Sequence, residues 1–524
     1  MLKKLPIGIQ TLSKIIEEDY LYIDKTKIAH QLINNYEYIF FSRPRRFGKS
    51  LFVDTLQEIF EGNKNLFKGL YIYNNWNWER RYPVIKISFS GGIYNKDDLN
   101  RNLIYILKRT QKKLNIKCDN ISDASLCFSE LIEKAYEKYN EKIVVLIDEY
   151  DKPILDNVTN IKESVNIRDG LRDFYTKIKD NDRYIRFALL TGVSKFSKTS
   201  IFSGLNNLED ITLNPEYGNI CGYTQNDIET SFLPYLDGVD LEKLKLWYNG
   251  YNFLGDRVYN PFDILLFIKN NKMYQNYWFE SGTPTFLIKL IQKNSYFLPS
   301  LSNILIGREL LGSFDIENIK IETLLFQAGY LTIDKQVEKR RGGIEYLLKL
   351  PNKEVMISLN DIFIDYLTNK SVEKSRYQDK MYDALFDRDL NGFKESLETI
   401  FANIPYNNYV NNNILSYEGY YASVIYAYLM SLGIDLIAED VTNKGRIDLT
   451  IKINNIIYII EFKVDSNKNK SNRALAQIKD KNYIQKYLKD GKDIYLVGIH
   501  FNEKERNLSL FEWEKIRDYK EIRT

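Results

Sequence analysis

Two kinds of apolar pattern recur along the N-terminal part of the chain: short continuous apolar runs, and longer segments with apolar residues at helical spacing. Four short apolar runs predict buried strands, at 38–41, 83–89, 142–147 and 186–194. Longer segments between them place apolar residues at helical spacing, at 51–61, 99–114 and 128–139. Strands that alternate with helices in this way indicate an α/β fold with a mostly parallel sheet.

The first predicted strand leads directly into Gly48-Lys49-Ser50, where the next helix begins. Strand, tight loop and helix are the context of a phosphate-binding loop. There Lys49 would contact the β and γ phosphates, the Ser50 hydroxyl can bind Mg²⁺, and the first helical amides face the anion. The usual motif has glycine where Arg43 stands. Arg43, Arg45 and Arg46 add positive charge that favours an anionic ligand, but a helix start flanked by exposed basic residues is the alternative.

The strand at 142–147 ends in Asp148 and Glu149, which is the form of a Walker B strand. A buried parallel strand delivers such carboxylates to the edge of the sheet where ligands bind. Asp148 would hold Mg²⁺, and Glu149 would orient or deprotonate the attacking water. At the end of the next strand, Thr191 or Ser194 would contact the γ-phosphate. A solvated acidic turn and a Ser/Thr-rich loop remain the alternatives.

The C-terminal pattern predicts strands at 434–438, 445–451, 456–463 and 493–499, and helices at 417–432 and 472–488. Asp448 lies on one strand of a predicted hairpin, and Glu461 and Lys463 lie on the next. Residues two apart on a strand share a face, so Glu461 and Lys463 project together. Two carboxylates can hold a divalent cation, and a lysine can orient or activate water against a phosphodiester. An ion pair at a strand edge is the alternative.

Between these regions, aromatic clusters with Asn-Gly and Asn-Pro turns predict a helical segment at 216–285. Two short strands around Arg340-Arg341-Gly342-Gly343 predict a hairpin in a winged-helix-like unit at 286–375. The predicted domains are therefore 1–215, 216–285, 286–375 and 376–524.

Composition narrows the class of protein. The 524 residues are 44% hydrophobic and 27% charged, which is typical of a globular protein of several domains. The net charge of +3 excludes a general attraction to nucleic acid, so any such contact needs a local patch. Three cysteines without paired spacing and two histidines disfavour disulfide frameworks, zinc sites and Ser-His-Asp triads. Without a signal core or a membrane-length apolar run, the sequence predicts a cytoplasmic protein with no membrane partner.

Several motifs together resemble the bacterial AAA-ATPase-like family: Leu5-Pro6-Ile7-Gly8-Ile9, Tyr22-Ile23-Asp24-Lys25-Thr26, Arg43-Pro44-Arg45-Arg46-Phe47-Gly48-Lys49-Ser50, Asp148-Glu149-Tyr150-Asp151-Lys152-Pro153 and Ile201-Phe202-Ser203-Gly204-Leu205-Asn206-Asn207. Members of that family carry an arginine-rich loop before Gly-Lys-Ser, so the missing first glycine is expected there. The segments at 216–285 look like the same family, with a helical lid after the ATPase core.

The arrangement of Asp448, Glu461 and Lys463 resembles the PD-(D/E)xK nuclease superfamily, in the subgroup found C-terminal to this ATPase-like domain. The resemblance implies a restriction-endonuclease-like α/β domain with these three residues as its catalytic set. It adds Glu418 as a further metal ligand and Gln477 as a neighbouring helix residue. Ile447 stands where the superfamily's name has proline.

The combined prediction is an ATPase coupled to a metal-dependent nuclease that acts on nucleic acid, with DNA expected and a homo-oligomer left open. ATP and Mg²⁺ are the expected cofactors. The residues expected to contact the nucleotide are Arg46, Gly48, Lys49, Ser50, Asp148 and Ser194. The residues expected to contact metal are Ser50, Asp148, Glu418, Asp448 and Glu461. The rival hypothesis is an ATP-dependent regulatory switch whose C-terminal domain binds a partner or nucleic acid without cleavage.

Overall fold

The computed structural model describes residues 2–89, 91–196, 201–202, 204–278, 304–311, 315, 320–368, 374–404, 418–465 and 473–516. The chain forms two compact units. The first comprises Met1–Phe286 with Leu305–Asn352, and the second comprises Leu287–Ile304 with Lys353–Thr524. The predicted boundaries after 215, 285 and 375 divide the chain more finely and stay predictions.

A five-stranded parallel sheet organises the first unit, which confirms the predicted α/β fold. Its strands are β1 (Tyr38–Ser42), β2 (Val84–Ser88), β3 (Ile143–Asp148), β4 (Ile185–Gly192) and β5 (Glu209–Asp210). Their order in the sheet is β2-β3-β4-β1-β5, and every pairing is parallel. This order places β4 between the strand that precedes the glycine-lysine loop and the strand that ends in Asp148. All residues of β1 and β3 are buried, as their apolar runs predict.

Among the described residues, the α-helices that accompany this sheet are α1 (Leu12–Glu17), α2 (Thr26–Asn35), α3 (Lys49–Phe60), α4 (Lys96–Leu114), α5 (Ala124–Tyr139), α6 (Lys152–Leu155) and α7 (Ile161–Asp180). Two of them begin earlier than their apolar spacing indicates. The Asn95 side chain accepts a hydrogen bond from Asp98 N at the start of α4, and the Asp123 side chain accepts one from Leu126 N at the start of α5. These N-caps, rather than the first apolar residue, determine where the helices begin.

The middle of the chain packs around an aromatic core that includes Phe232, Tyr248, Tyr259 and Phe267. Its elements are β6 (Tyr223–Thr224), α8 (Gln225–Asp227), α9 (Leu241–Tyr248), β7 (Val258–Tyr259) and α10 (Pro261–Lys269). The next elements are β8 (Ile304–Gly307), α11 (Arg308–Leu311), α12 (Ile321–Ala328), β9 (Thr332–Glu338) and β10 (Ile344–Lys349). The last two strands form the predicted antiparallel hairpin.

The second unit contains a mixed five-stranded sheet in the order β11-β12-β13-β14-β15, in which only β13 and β14 are parallel. Its strands are β11 (Asp435–Thr442), β12 (Gly445–Ile453), β13 (Ile456–Asp465), β14 (Asp493–Asn502) and β15 (Asn507–Ile516). Its helices are α13 (Lys353–Thr368), α14 (Lys374–Phe386), α15 (Leu390–Ala402), α16 (Glu418–Ser431) and α17 (Arg473–Asp480).

Two details of this unit differ from the sequence prediction. The helix expected over 472–488 ends at Asp480, because Asn482 adopts a left-handed φ of 48° and 3₁₀ turns follow. Strand β15 was not predicted, since its alternating charged residues resemble a surface segment rather than a buried strand. Within the described ranges, no helix is both long and apolar enough to cross a membrane.

Candidate functional site

The loop between β1 and α3 turns tightly at Gly48, immediately before the helix begins. Gly48 precedes α3 with a φ of 94°, a left-handed conformation that favours glycine, and no side chain caps the helix start. Arg46 also has a positive φ, of 70°. Gly48 is exposed and Ser50 is half-buried in the first turn of α3, so both lie where a phosphate would meet the helix amides.

Lys49 is buried as the first residue of α3. Its ammonium donates hydrogen bonds to the backbone oxygens of Arg43 and Pro44, each at 2.9 Å. Burial lowers the pKa of Lys49, and Asp148 is the strongest of the charges that oppose this shift. Lys49 and Asp148 therefore lie within electrostatic reach of each other, which a nucleotide site requires.

Arg43 does not supply charge to an anion, so that expectation for this residue was wrong. Its side chain is only 1% exposed, and its guanidinium donates to the backbone oxygens of Ser42, Thr212 and Tyr217 at 2.8–3.0 Å. The guanidinium carbon lies 4.1 Å from the centre of the Phe253 ring. Burial lowers the pKa of Arg43 to about 10. Arg43 instead ties the loop to the segment that follows β5.

The other two arginines of the loop are exposed. Arg46, predicted to contact the nucleotide, lies with its guanidinium 4.6 Å from the centre of the Phe262 ring. Arg45 lies near Glu149, because its charge is among those that lower the pKa of that carboxyl group. Arg45 is thus the arginine of this loop that faces the acidic end of β3.

Asp148 and Glu149 occupy the carboxyl end of β3. Asp148 is 3% exposed, and its Oδ1 accepts a hydrogen bond from Glu149 N at 3.0 Å. Glu149 has a φ of 53°, which turns the chain sharply after the strand. Burial and the charge of Asp148 raise the pKa of Glu149, while Lys152, Lys49 and Arg45 oppose the rise. A carboxylate with a raised pKa beside a cationic loop suits the activation of water.

The end of β4 lies beside these carboxylates, since β4 pairs with both β1 and β3. Thr191 is fully buried, and its hydroxyl has no hydrogen-bond partner among the described residues. An unpaired hydroxyl at this edge favours Thr191 as a contact to a ligand. Ser194, the other predicted residue, is also buried, and its backbone carbonyl accepts a hydrogen bond from the Tyr150 hydroxyl at 2.9 Å.

Sequence reasoning assigned no role to Asp151, which organises this end of the sheet. Its carboxylate accepts hydrogen bonds from Val193 N at 3.1 Å and from Ser194 N at 2.5 Å. A Cβ on Gly192 would lie 2.2 Å from Asp151 Oδ1, so glycine is needed there. Burial raises the pKa of Asp151 to about 6. The sequence feature that could have identified Asp151 is its position in the Asp-Glu-Tyr-Asp run that follows the strand.

A cleft opens beside Gly48 and the first turns of α3. Five segments of the chain line it, and the lining residues include Tyr22, Phe47, Leu51, Cys221 and Tyr223. Most of its surface is apolar. Its volume is about 70 Å³, which is enough to contact part of a nucleotide base but not to enclose one.

In the second unit, β12 and β13 bring Asp448 and Glu461 together. Asp448 Oδ2 accepts a hydrogen bond from Phe462 N at 2.8 Å. Glu461 is 0% exposed, and its Oε1 has no hydrogen-bond partner among the described residues. Burial and the adjacent Asp448 raise the pKa of Glu461 to about 9, and Lys463 opposes the rise.

Lys463 and Gln477 complete the surroundings of Glu461. The Lys463 ammonium lies 3.8 Å from Glu461 Oε2 and donates to Phe462 O at 2.7 Å. Gln477 Nε2, from α17, donates to the same Glu461 oxygen at 2.8 Å. Tyr483, which sequence reasoning did not identify, is buried beside them and donates its hydroxyl to Arg446 O at 3.1 Å. Glu418 begins α16, but its side chain lies outside the described residues.

These residues fit a divalent cation. The buried Oε1 of Glu461 has no hydrogen-bond partner among the described residues, and two adjacent carboxylates repel each other unless a proton or a cation lies between them. Within the described ranges, no group of three or more His, Cys, Asp or Glu side chains could hold a metal. A pair of carboxylates suits Mg²⁺, which binds to one or two carboxylates and completes its shell with water and substrate phosphate.

Comparisons with known proteins agree with this division of the chain. Residues 6–202 match the family model described as "Predicted AAA-ATPase", and residues 416–511 match the model of the PD-(D/E)XK nuclease superfamily. The chain is 46% identical over 516 residues to a protein of Azotobacter chroococcum mcd 1 named "Uncharacterized protein in vnfD 5'region". That similarity covers 98% of this chain and 99% of the relative. No solved structure matches the chain.

Proposed function

Because the chain belongs to the predicted AAA-ATPase family and carries a PD-(D/E)XK nuclease superfamily domain, we propose that it couples ATP hydrolysis to Mg²⁺-dependent cleavage of a nucleic acid. DNA is the proposed substrate, and RNA is the comparison in the test. Each half of the proposal rests on different residues and is tested separately.

For the ATPase half, Lys49 and the amides at the start of α3 bind the phosphates. The Ser50 hydroxyl and Asp148 would hold Mg²⁺, which would offset the negative charge of the phosphates. Glu149 accepts the proton of the attacking water, and Thr191 contacts the γ-phosphate from β4. Arg45 faces the same edge and offsets the negative charge that develops there. The cleft lined by Phe47 and Cys221 would contact one edge of the base.

For the nuclease half, Asp448 and Glu461 would hold Mg²⁺, and the bound ion would supply Lewis-acid activation of the scissile phosphate and of the attacking water. Lys463 directs its ammonium toward that water and the phosphate oxygens. Gln477 donates to Glu461 Oε2 and holds that carboxylate in one orientation. The observation that carries this half is the fully buried Glu461, whose Oε1 has no hydrogen-bond partner among the described residues. The ionised form of a carboxylate buried there is energetically unfavourable unless a cation compensates its charge.

The decisive experiment compares wild-type protein, Lys49→Ala and Glu461→Ala on plasmid DNA, single-stranded DNA and RNA, with Mg²⁺ or Mn²⁺ and with or without ATP. Lys49→Ala should lose ATP binding, measured by titration calorimetry, together with any ATP-dependent part of cleavage. Glu461→Ala should lose cleavage and keep the ATPase rate. Equal cleavage by wild type and Glu461→Ala would exclude the nuclease assignment, and undiminished ATP affinity in Lys49→Ala would exclude the nucleotide site. Wild type that hydrolyses ATP and cleaves none of these substrates would favour the regulatory switch.

A further inference from the structure

A buried histidine–carboxylate pair lies next to the proposed metal site. His500 on β14 is fully buried and pairs in register with Lys463 on β13. Its Nδ1 lies 2.5 Å from Asp465 Oδ2. Arg473 binds the other oxygen of that carboxylate.

The second ring nitrogen of His500 contacts the start of α17. His500 Nε2 accepts a hydrogen bond from Ala474 N at 3.3 Å. A nitrogen that accepts must carry a lone pair, so this geometry assigns a neutral ring with its proton on Nδ1, donated to Asp465. The imidazole therefore caps one of the first amides of α17 from a neighbouring strand, as a side chain does at an N-cap.

The capped helix reaches the metal site one turn later. Ala474 and Gln477 are three residues apart on α17 and so lie on the same side of the helix. Gln477 Nε2 is the group that donates to Glu461 Oε2 at 2.8 Å. The same face of β13 carries Glu461, Lys463 and Asp465, because they are two residues apart. The contacts thus run from Asp465 through His500 to α17, and from α17 back to Glu461.

We infer that His500 is a positioning residue of the nuclease site: it fixes α17 so that Gln477 holds Glu461 in the orientation that binds the cation. This inference rests on the proposed nuclease function. No hydrogen bond or ion pair among the described residues joins His500 to Asp448 or Glu461, so it acts through the helix. Residues in such supporting positions typically change metal affinity by about 10–100-fold when replaced.

The test measures Mn²⁺ affinity by titration calorimetry and amide hydrogen exchange of residues 474–478 in the full chain. His500→Leu removes both hydrogen bonds, and it should weaken Mn²⁺ binding by about tenfold or more and speed exchange in α17. His500→Gln should recover most of both, because its amide oxygen can accept from Ala474 N. Asp389→Ala is the matched control. It removes the cap of α15, where Asp389 Oδ1 accepts from Gly392 N at 3.0 Å, and it should leave Mn²⁺ affinity unchanged.

Three results would overturn the inference: wild-type Mn²⁺ affinity or wild-type exchange in His500→Leu, an equal loss of affinity in Asp389→Ala, or no recovery in His500→Gln. Wild-type protein that binds no Mn²⁺ would overturn the proposed nuclease function, and with it the assigned role of His500. The two failures are distinguishable, because the first leaves a metal-binding wild type and the second does not.

Discussion

Replacing Glu461 by glutamine tests whether a proton and a cation compete for the same buried carboxylate. Glu461 is fully buried beside Asp448, and burial together with that neighbour raises its pKa from 4.5 to about 9. At neutral pH the protonated form therefore predominates. A divalent cation that binds both carboxylates must displace this proton, so the cation's apparent affinity depends on pH.

The raised pKa of Glu461 determines how strongly the cation affinity depends on pH. Between pH 6 and pH 8, Glu461 is protonated in the metal-free protein and ionised when it binds the cation, so binding of one cation releases one proton. The apparent affinity should then rise about tenfold per pH unit, or about 100-fold from pH 6 to pH 8, which corresponds to about 2.7 kcal/mol. In Glu461→Gln this dependence should disappear and binding should be weak, since one ligand is lost.

Stability without metal should change in the opposite direction. The folded state keeps the Glu461 proton that the unfolded chain releases above about pH 4.5. The stability that this group contributes is therefore complete below pH 4.5 and is lost as the pH rises toward about 9. In the presence of a chelator, wild type should lose more thermal stability between pH 6 and pH 8 than Glu461→Gln does.

The assay is titration calorimetry with MnCl₂ at pH 6, 7 and 8, in two buffers of different ionisation enthalpy, so that the protons released per cation are counted. Glu512→Gln is the control, because Glu512 is an exposed carboxylate on β15 of the same sheet. Glu512→Gln should show the same change of apparent Mn²⁺ affinity per pH unit as the wild type. A Kd that is constant across this pH range in wild type, or that changes with the same slope in Glu461→Gln, would refute the reasoning.

Three further predictions concern the first unit. Gly192→Ala places a Cβ 2.2 Å from a carboxylate oxygen, so it should lower the free energy of unfolding by about 2–3 kcal/mol and reduce the ATPase rate. The control is Gly91→Ala, whose Cβ would have no atom within 4 Å. It should change neither the unfolding free energy nor the ATPase rate in the same melting and rate assays. Arg43→Ala removes the hydrogen bonds to several buried carbonyls and should destabilise the unit by about 3 kcal/mol in chemical denaturation. Arg45→Ala, at an exposed position, should change the unfolding free energy by less than about 0.5 kcal/mol. Equal losses in the two variants would contradict the role of Arg43 as a buried anchor of the loop. Cys221→Phe fills the cleft and should weaken ATP binding by roughly tenfold, whereas the affinity for inorganic tripolyphosphate should not change. Both affinities are measured by calorimetry. An equal loss of affinity for the two ligands would show that the base binds elsewhere.

The sequence alone predicted the local parts of both candidate sites. The strand before Gly48 and the apolar strand that ends in Asp148 are readable because each depends on neighbours within a few residues. The same holds for Glu461 and Lys463, whose shared face follows from the two-residue period of a strand. The alternation of these elements was also sufficient to predict a parallel α/β sheet in the first unit.

The tertiary structure decided what each side chain does with distant partners. Arg43 looked like one more positive charge for an anion, but its guanidinium binds carbonyls about 170 residues away, at Thr212 and Tyr217. Asp151 accepts from amides at the end of β4, and His500 accepts from the start of a helix that precedes it in the chain. Hydrogen bonds of this kind depend on how strands and helices pack, and packing joins residues that no local period relates. The order of apolar and polar residues therefore determined which elements form, whereas the burial of each charge, and hence its pKa and its role, was decided only when those elements came together.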